Sequence, residues 1–215
     1  MKKIINVIFS VIFSVLIIST IIKFTVGFKQ LYYFDIEYLN IPVLSGLSKE
    51  DIKKNYDYMI DYNLDKDNKE FELPSIKSSE NGKIHFEEVR NIFQILNKIF
   101  KISLVLSISL VLSIIGLVIN ILNKNIEFFK TTSKALIVIP LILMLPIVVN
   151  FEGSFVLFHK TMFNNDYWIF DPNLDPVINI LPEEFFFHAG LMILILIIIA
   201  SLTNYLIYRF LKREQ

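Results

Sequence analysis

The sequence predicts an all-α membrane protein, a four-transmembrane-helix bundle with an extracytoplasmic cap formed by the loop between spans 1 and 2 and the loop between spans 3 and 4. Two observations predict it. Apolar residues make up 54% of the 215-residue chain and are concentrated in four stretches, whereas ordinary soluble domains contain roughly 45–50%. Basic and acidic residues also fall on opposite sides of the resulting map.

The four predicted spans cover residues about 4–26, 100–122, 135–158 and 185–208. Three of the four have the roughly 20 apolar residues that a helix needs to cross a hydrocarbon core of about 30 Å. The third is strictly apolar only from Ala135 to Val149, and apolar residues up to Phe158 extend it. The first follows Lys2 and Lys3, but no signal-peptide cleavage site comes after it, so we expect an uncleaved anchor.

The lysines and arginines give the predicted helices an orientation. Two terminal segments and the loop between spans 2 and 3 hold eight basic residues and only two acids, Glu127 and Glu214. The basic residues are Lys2, Lys3, Lys124, Lys130, Lys134, Arg209, Lys212 and Arg213. We therefore expect one integral membrane domain, residues 1–215, with both termini cytoplasmic. The two outer loops, about 29–98 and 159–184, would face the extracytoplasmic side.

Composition and motifs exclude several function classes. The net charge is zero, from 21 basic and 21 acidic residues, which argues against a basic nucleic-acid binder. Because there is no cysteine, the chain has no disulfide framework, no thiolate nucleophile and no cysteine-based metal site. It also lacks a glycine-rich phosphate loop and a Gly-x-Ser-x-Gly nucleophile elbow.

The first outer loop contains two predicted helices. Ser48 to Asp51 has the pattern of an N-cap with an acid three residues later. The residues that follow at helical spacing predict an amphipathic surface helix; they are Ile52, Tyr56, Met59, Ile60 and Asn63. A further helix is predicted to begin near Ile84 and to run into the second span, with His85 at its start. Because a helix N-terminus disfavours an imidazolium, we expect His85 to be neutral.

Candidate chemistry centres on two of the three histidines. His85 and His159 lie in separate segments at similar predicted depth, and each has an acid on its helical face, Glu88 and Glu152 respectively. If the third helix continues past Val149, Glu152 lies roughly 26 Å above the start of that span. Acids and histidines at such depth usually point into a protein cavity. A histidine pair could supply the base and the acid for acyl transfer at the lipid–water boundary.

The third histidine and a zinc site receive a different interpretation. His188 lies in a phenylalanine-rich helix start beside Ala189 and Gly190, which is typical of a structural residue. A zinc site built from three histidines lacks any His-x-x-x-His or Glu-x-x-His spacing. We expect no metal.

Two sequence elements and the order of the spans resemble a known family. The first element is His85 to Val89, just before the second span. The second is the run Phe158-His159, Phe163, Trp168, Phe170, Asp175, Ile178, Pro182-Glu183 and Phe185-Phe186. Together they resemble the bacterial lipoprotein intramolecular transacylase (Lit) family of four-span integral membrane proteins. The family has aspartate where this chain has Glu88.

The resemblance implies an acyltransferase that needs no cofactor. Its substrate would be a bacterial lipoprotein whose N-terminal cysteine carries an S-diacylglyceryl group. The sn-2 acyl chain would move to the α-amine of the same cysteine, giving a lyso-lipoprotein. His85 and His159 would be the catalytic acid and base, in either order, with Glu88 or Glu152 orienting them. The supporting or substrate-binding residues of the cap would be Asp166, Trp168, Asp175 and Glu183.

Partners, location and two alternatives complete the prediction. The partners would be diacylglyceryl-modified lipoproteins and membrane lipids, with no nucleic acid. The active site would lie on the extracytoplasmic side of a bacterial cell membrane. Two other functions remain open: a non-enzymatic membrane accessory protein with structural histidines, and a metal-dependent membrane hydrolase.

Overall fold

The computed structural model describes residues 2–64, 70–117 and 126–214. Within these ranges every regular element is helical, which confirms the all-α prediction. The helices are α1 (Lys2–Gly27), α2 (Lys29–Tyr38), α3 (Ile41–Ser45), α4 (Lys49–Leu64), α5 (Glu80–Leu117), α6 (Glu127–Val149), α7 (Phe151–Met162), a 3-10 helix (Pro176–Ile180) and α8 (Glu183–Arg213). The end of the second predicted span, residues 118–122, and Lys124 lie outside the described residues.

Three of these helices contain segments long and apolar enough to cross a membrane: Asn6–Gly27, Glu80–Ser109 and Glu183–Arg213. The second carries five charged side chains in residues 80–90, so its apolar part begins after Arg90. Many of their large aliphatic side chains are exposed, including Ile102, Leu202 and Leu206. A helix that is apolar on all faces and exposed is suited to lipid rather than to water.

The third predicted span is not one continuous helix, contrary to our expectation. Helix α6 ends at Val149, and α7 begins at Phe151. Asn150 has a non-helical backbone, and its side chain accepts a hydrogen bond from the Gly153 amide at 3.0 Å. An asparagine that caps the next helix satisfies an amide that would otherwise lack a partner, and this favours a new helix start. The condition on which the depth of Glu152 was predicted, a third helix that continues past Val149, is therefore not met.

The described chain divides into two compact units. One comprises residues 1–23, 96–146 and 192–215, in which hydroxyls and an aromatic stack join the helices. Ser10 Oγ donates to the Phe128 carbonyl at 3.3 Å, and Ser201 Oγ donates to the Ser133 carbonyl at 2.9 Å. The rings of Phe9 and Phe128 stack with centroids 4.4 Å apart. Small hydroxyl residues at contacts between helices are typical of membrane proteins.

The second unit comprises residues 24–95 and 147–191 and carries most of the buried aromatic residues. In its core the rings of Tyr32 and Tyr56 stack at 3.7 Å, and Tyr32 donates a hydrogen bond to the Ile180 carbonyl. The predicted amphipathic helix is present as α4, and Ile52, Tyr56, Met59 and Asn63 of its predicted face are buried. This unit also holds His85 and His159.

Ser48 caps α4 as its sequence predicts. Its hydroxyl accepts from the Asp51 amide at 3.1 Å and donates to the Asp51 carboxylate at 2.7 Å. The Ser48 hydroxyl therefore satisfies a free amide at the helix start, as an N-cap does, while the Asp51 carboxylate bonds to that hydroxyl and not to the Ser48 backbone amide, which it would accept in a capping box. The cap fixes the first turn of the helix that supplies much of the core of the second unit.

Candidate active site

The start of α5 is fixed by a carboxylate from a distant loop. Asp175 accepts the Ser79 backbone amide at 2.7 Å and the Ser79 hydroxyl at 2.6 Å. The Ser79 hydroxyl in turn accepts the Gly82 amide at 3.0 Å. Two helix-start amides are satisfied in this way, so Asp175 and Ser79 together set the first turn of α5. The sequence predicts Asp175 as a supporting or substrate-binding residue of the cap; the structure shows its carboxylate bonded to Ser79 at the start of α5.

His85 lies in the second turn of α5, because the helix begins at Glu80 and not near Ile84 as predicted. The imidazole is only 6% exposed. It lies outside the apolar part of α5. Its pKa is lowered to about 4, mainly by burial and to a smaller extent by the nearby His159. Its neutrality at pH 7 therefore follows mainly from desolvation, not from the helix terminus that the sequence suggested.

His159 is held in place by its own helix. Its Nδ1 lies 2.7 Å from the carbonyl oxygen of Phe155, one turn earlier in α7. Because a carbonyl only accepts hydrogen bonds, Nδ1 must carry the proton, and in the neutral ring Nε2 keeps the lone pair. Burial lowers the pKa of His159, and the hydrogen bond to Phe155 partly opposes that change. The result is a neutral ring whose Nε2 can accept a proton.

The structure brings the two predicted histidines together. The ring centroids of His85 and His159 are 6.1 Å apart. Aromatic side chains surround the pair: Phe163 lies 4.7 Å from the His85 ring and 5.6 Å from the His159 ring, and Trp168 lies 4.8 Å from the His159 ring. Such apolar surroundings strengthen electrostatic interactions inside the site.

Three polar atoms around the pair are buried and have no hydrogen-bond partner among the described residues. They are His85 Nδ1, Glu88 Oε2 and Trp168 Nε1. A buried polar group without a partner is costly, and such groups are rare in native proteins. Their concentration beside two neutral histidines is typical of a site that receives the polar groups of a ligand.

Glu88 lies in the site, but its described hydrogen bond is not to a histidine. Its Oε1 accepts from Asn165 Nδ2 at 2.8 Å. Asn165, which holds the Glu88 carboxylate, is not among the residues that the sequence predicts for the site. Asn165 reaches Glu88 only because α5 contacts a loop that is far away in sequence, and no local sequence pattern reveals such a contact.

The remaining predicted acids lie at the surface. Glu152, Asp166 and Glu183 are exposed. Glu152 is in the first turn of α7 and Glu183 in the first turn of α8, where acids stabilise the helix dipole. Among the hydrogen bonds and ion pairs of the described residues, none joins these three carboxylates to His85 or His159.

The third histidine has a separate partner. His188 Nδ1 lies 2.8 Å from Oδ1 of Asp35, a carboxylate with 0% exposure. This pair joins α2 to the start of α8 and does not include either of the other two histidines. Across residues 2–64, 70–117 and 126–214, no group of three or more histidine, cysteine, aspartate or glutamate side chains is arranged to hold a metal ion.

Comparison with known proteins places this arrangement in a family. Residues 7–186 match the family model described as lipoprotein intramolecular transacylase Lit. A solved structure of the membrane-integral lipoprotein intramolecular transacylase Lit from Bacillus cereus is 39% identical, with a TM-score of 0.91 over 100% of this chain and 97% of that one.

Two further structures of the Bacillus cereus protein carry a substitution at one histidine. The alanine variant is 38% identical, with a TM-score of 0.87 over 100% of this chain and 94% of that one. The arginine variant is 37% identical, with a TM-score of 0.82 over 99% and 94%. No curated protein sequence matches the chain. The family match over most of the chain and the whole-length structural similarity agree, and the chain therefore belongs to the lipoprotein intramolecular transacylase (Lit) family, a family of membrane acyltransferases.

Proposed function

We propose that this protein moves the sn-2 acyl chain of an S-diacylglyceryl group onto the α-amine of the N-terminal cysteine of the same bacterial lipoprotein, leaving a lyso-form lipoprotein. One observation carries the proposal: the rings of His85, which is buried, and His159, which is partly buried, lie 6.1 Å apart beside polar atoms that have no hydrogen-bond partner among the described residues. Two neutral imidazoles at this distance can accept a proton from the amine and return one to the departing glycerol oxygen.

The histidines divide the proton transfers between them. His159 is the better base, because its Nδ1–H donates to the Phe155 carbonyl and leaves the Nε2 lone pair available. The neutral amine attacks the ester carbonyl carbon, a C–N bond forms, and His159 accepts the amine proton. The C–O bond to glycerol then breaks, and the proton passes through the pair to the glycerol oxygen. His85, whose Nδ1 has no hydrogen-bond partner in the described part of the chain, lies on that route.

Trp168 supports the tetrahedral intermediate in this scheme. Its Nε1–H is buried without a described partner, and its ring lies 4.8 Å from that of His159. A donor that is already desolvated and fixed stabilises a developing oxyanion without reorganising. The acyl donor and the acceptor amine belong to one molecule, so a high effective molarity replaces a covalent enzyme intermediate. That suits a chain without cysteine.

The membrane arrangement follows from charge and apolarity. Four spans, with both termini cytoplasmic, would place the two outer loops and the histidine pair at the extracytoplasmic surface. A lipoprotein with two acyl chains could then enter from the outer leaflet while its peptide remains in water. The exposed acids Asp166 and Glu183 would border the region where the peptide lies.

Mass spectrometry of lipoprotein N-termini tests the function. Cells that lack this activity would express the wild type, His85→Ala or His159→Ala. We expect N-acyl, S-monoacylglyceryl termini with the wild type and unchanged diacylglyceryl termini with each variant. Unchanged termini with the wild type would favour the accessory-protein alternative. Release of the acyl chain as free fatty acid, abolished by a chelator, would favour a metal-dependent hydrolase.

A further inference from the structure

Glu88 occupies an unusual position for a carboxylate. It follows His85 by three residues on α5, so the two side chains project from the same face of the helix. One of its oxygens, Oε1, accepts from Asn165 at 2.8 Å. The other, Oε2, is buried and has no hydrogen-bond partner among the described residues.

Asn165 holds this carboxylate in a fixed orientation. Its Oδ1 accepts the Tyr167 backbone amide at 3.0 Å, so the amide group is anchored in its own turn and its Nδ2 must face Glu88. With Oε1 fixed, Oε2 is held in one direction as well. A buried carboxylate oxygen with no donor costs free energy, and a cationic donor would remove most of that cost.

The basic residues nearest to it along α5 have other contacts. Lys83 forms ion pairs with Glu70 at 3.0 Å and Glu80 at 3.5 Å. The guanidinium of Arg90 lies over the Tyr62 ring, 4.8 Å from its centroid. Arg90 is two residues after Glu88, a spacing at which helical side chains do not face each other.

We propose that Glu88 Oε2 binds the α-ammonium group of the substrate's N-terminal cysteine. This rests on the proposed function and names the chemistry by which the site recognises its substrate. Of the two reacting groups, the α-amine alone can donate hydrogen bonds and carry a positive charge. The ester carbonyl only accepts, so it would be repelled by Glu88 and would fit Trp168 Nε1–H instead.

The pairing would also position the nitrogen for reaction. An ammonium bound at Glu88 lies about one helical turn from His85. It first loses one proton to water to become the neutral amine, and the histidine pair then accepts the second proton when the amine attacks the ester. A lipoprotein that already carries an N-acyl group has no ammonium and would lose this contact. The site would therefore select free N-termini and release the amide product.

Binding of unreactive lipopeptides tests this assignment without catalysis. The two ligands are diacylglyceryl-cysteine peptides with ether links in place of the esters, one with a free α-amine and one with hydrogen in its place. With the purified full chain in detergent micelles we expect the amine ligand to bind about tenfold more tightly or better, as a charge-assisted hydrogen bond allows. Glu88→Gln should reduce this preference to about onefold to twofold.

Matched variants separate recognition from folding. Glu87→Gln changes the exposed neighbour and should keep the full preference. Asn165→Ala keeps the Glu88 charge but frees its orientation, and Glu88→Asp withdraws the oxygens by one methylene; both should give an intermediate preference. An equal preference in the wild type and Glu88→Gln would overturn the assignment, as would no preference in the wild type.

Turnover of the corresponding ester lipopeptide is measured separately. If the wild type prefers the amine but transfers no acyl chain, the proposed function fails and the recognition site stands. If it transfers the chain but shows no preference, the recognition site fails and the proposed function stands.

Discussion

The imidazole rings of His85 and His159 lie 6.1 Å apart, although they belong to helices from distant parts of the chain. Side-chain hydrogen bonds at the starts of α5 and α7 position them. Asp175 binds both the amide and the hydroxyl of Ser79 at the start of α5, and Asn150 caps α7. The position of the pair therefore depends on side chains that fix the starts of two helices. Substitutions of those side chains should disturb the pair although they lie away from the two imidazoles.

Replacing His159 should strongly slow acyl transfer, whereas replacing His188 should not. His159→Gln removes the proposed base and should lower the rate of ester-to-amide transfer by about 100-fold or more, since positioned acid–base groups contribute roughly 10²–10⁴-fold. His188→Gln is the matched control, because glutamine can still donate to Asp35. We expect it to stay within a few-fold of the wild type in a lipopeptide assay followed by mass spectrometry. Equal losses in both variants would point to folding instead of catalysis.

Lowering the pH should weaken the folded state through His85. Burial lowers its folded-state pKa from 6.5 to about 4, so the unfolded chain binds this proton more readily. The stabilising contribution of the neutral ring is complete above pH 6.5 and is lost as the pH falls towards 4. The melting temperature of the wild type relative to His85→Gln, measured in detergent, should therefore decrease across this range. A constant difference would contradict the buried, neutral state of His85.

Gly82 should tolerate a methyl group only when Asp175 is absent. A Cβ at Gly82 would lie 2.2 Å from Asp175 Oδ1, which cannot be accommodated without movement. Gly82→Ala should therefore lower both the melting temperature and the turnover, and Asp175→Ala should remove a cap worth about 1 kcal/mol. In the double variant the alanine should cost much less than it does alone.

A neighbouring substitution controls for helix propensity in that double-mutant cycle. Asn81→Ala changes an exposed residue of the same turn and should be close to neutral. Strictly additive effects of Gly82→Ala and Asp175→Ala would show that the two positions do not depend on each other.

Trp168→Phe should slow the chemical step more than it weakens binding. The phenylalanine ring can still pack against His159, but it lacks the Nε1–H donor. Loss of one oxyanion donor typically lowers kcat by about 10²–10³-fold, so we expect a large decrease in kcat with a small change in KM. Tyr167→Phe, in the adjacent position, serves as the control. A change confined to KM would assign Trp168 to substrate packing.

The sequence predicts the helices and the candidate histidines better than it predicts their contacts. Long apolar stretches predict α1, α5 and α8 because a spanning helix needs only length and apolarity. The sequence does not predict the break at Asn150. An asparagine between two apolar runs can lie inside a helix or cap the next one, and the residue type alone does not decide between them. The four-span count and the orientation of the termini remain predictions from composition and charge.

The site shows the same division between local pattern and long-range contact. His85 and His159 were identifiable as polar residues at similar depth, each with an acid on its helical face. Their proximity depends on Asp175 reaching Ser79 across the chain, and the partner of Glu88 is Asn165. A single sequence carries no signal for such pairs, since neither residue type nor spacing distinguishes them from other loop residues.

A crossover experiment on the purified protein tests the central claim most directly. Two diacylated lipopeptides are mixed, one with a deuterated sn-2 chain on a light peptide and the other with unlabelled chains on a heavy peptide. Mild alkali then removes ester-linked chains and leaves amide-linked ones for mass spectrometry. Direct intramolecular transfer by the histidine pair predicts the deuterated amide on the light peptide alone with the wild type, and no amide with His85→Ala or His159→Ala. A deuterated amide on the heavy peptide, or full transfer by either variant, would contradict it.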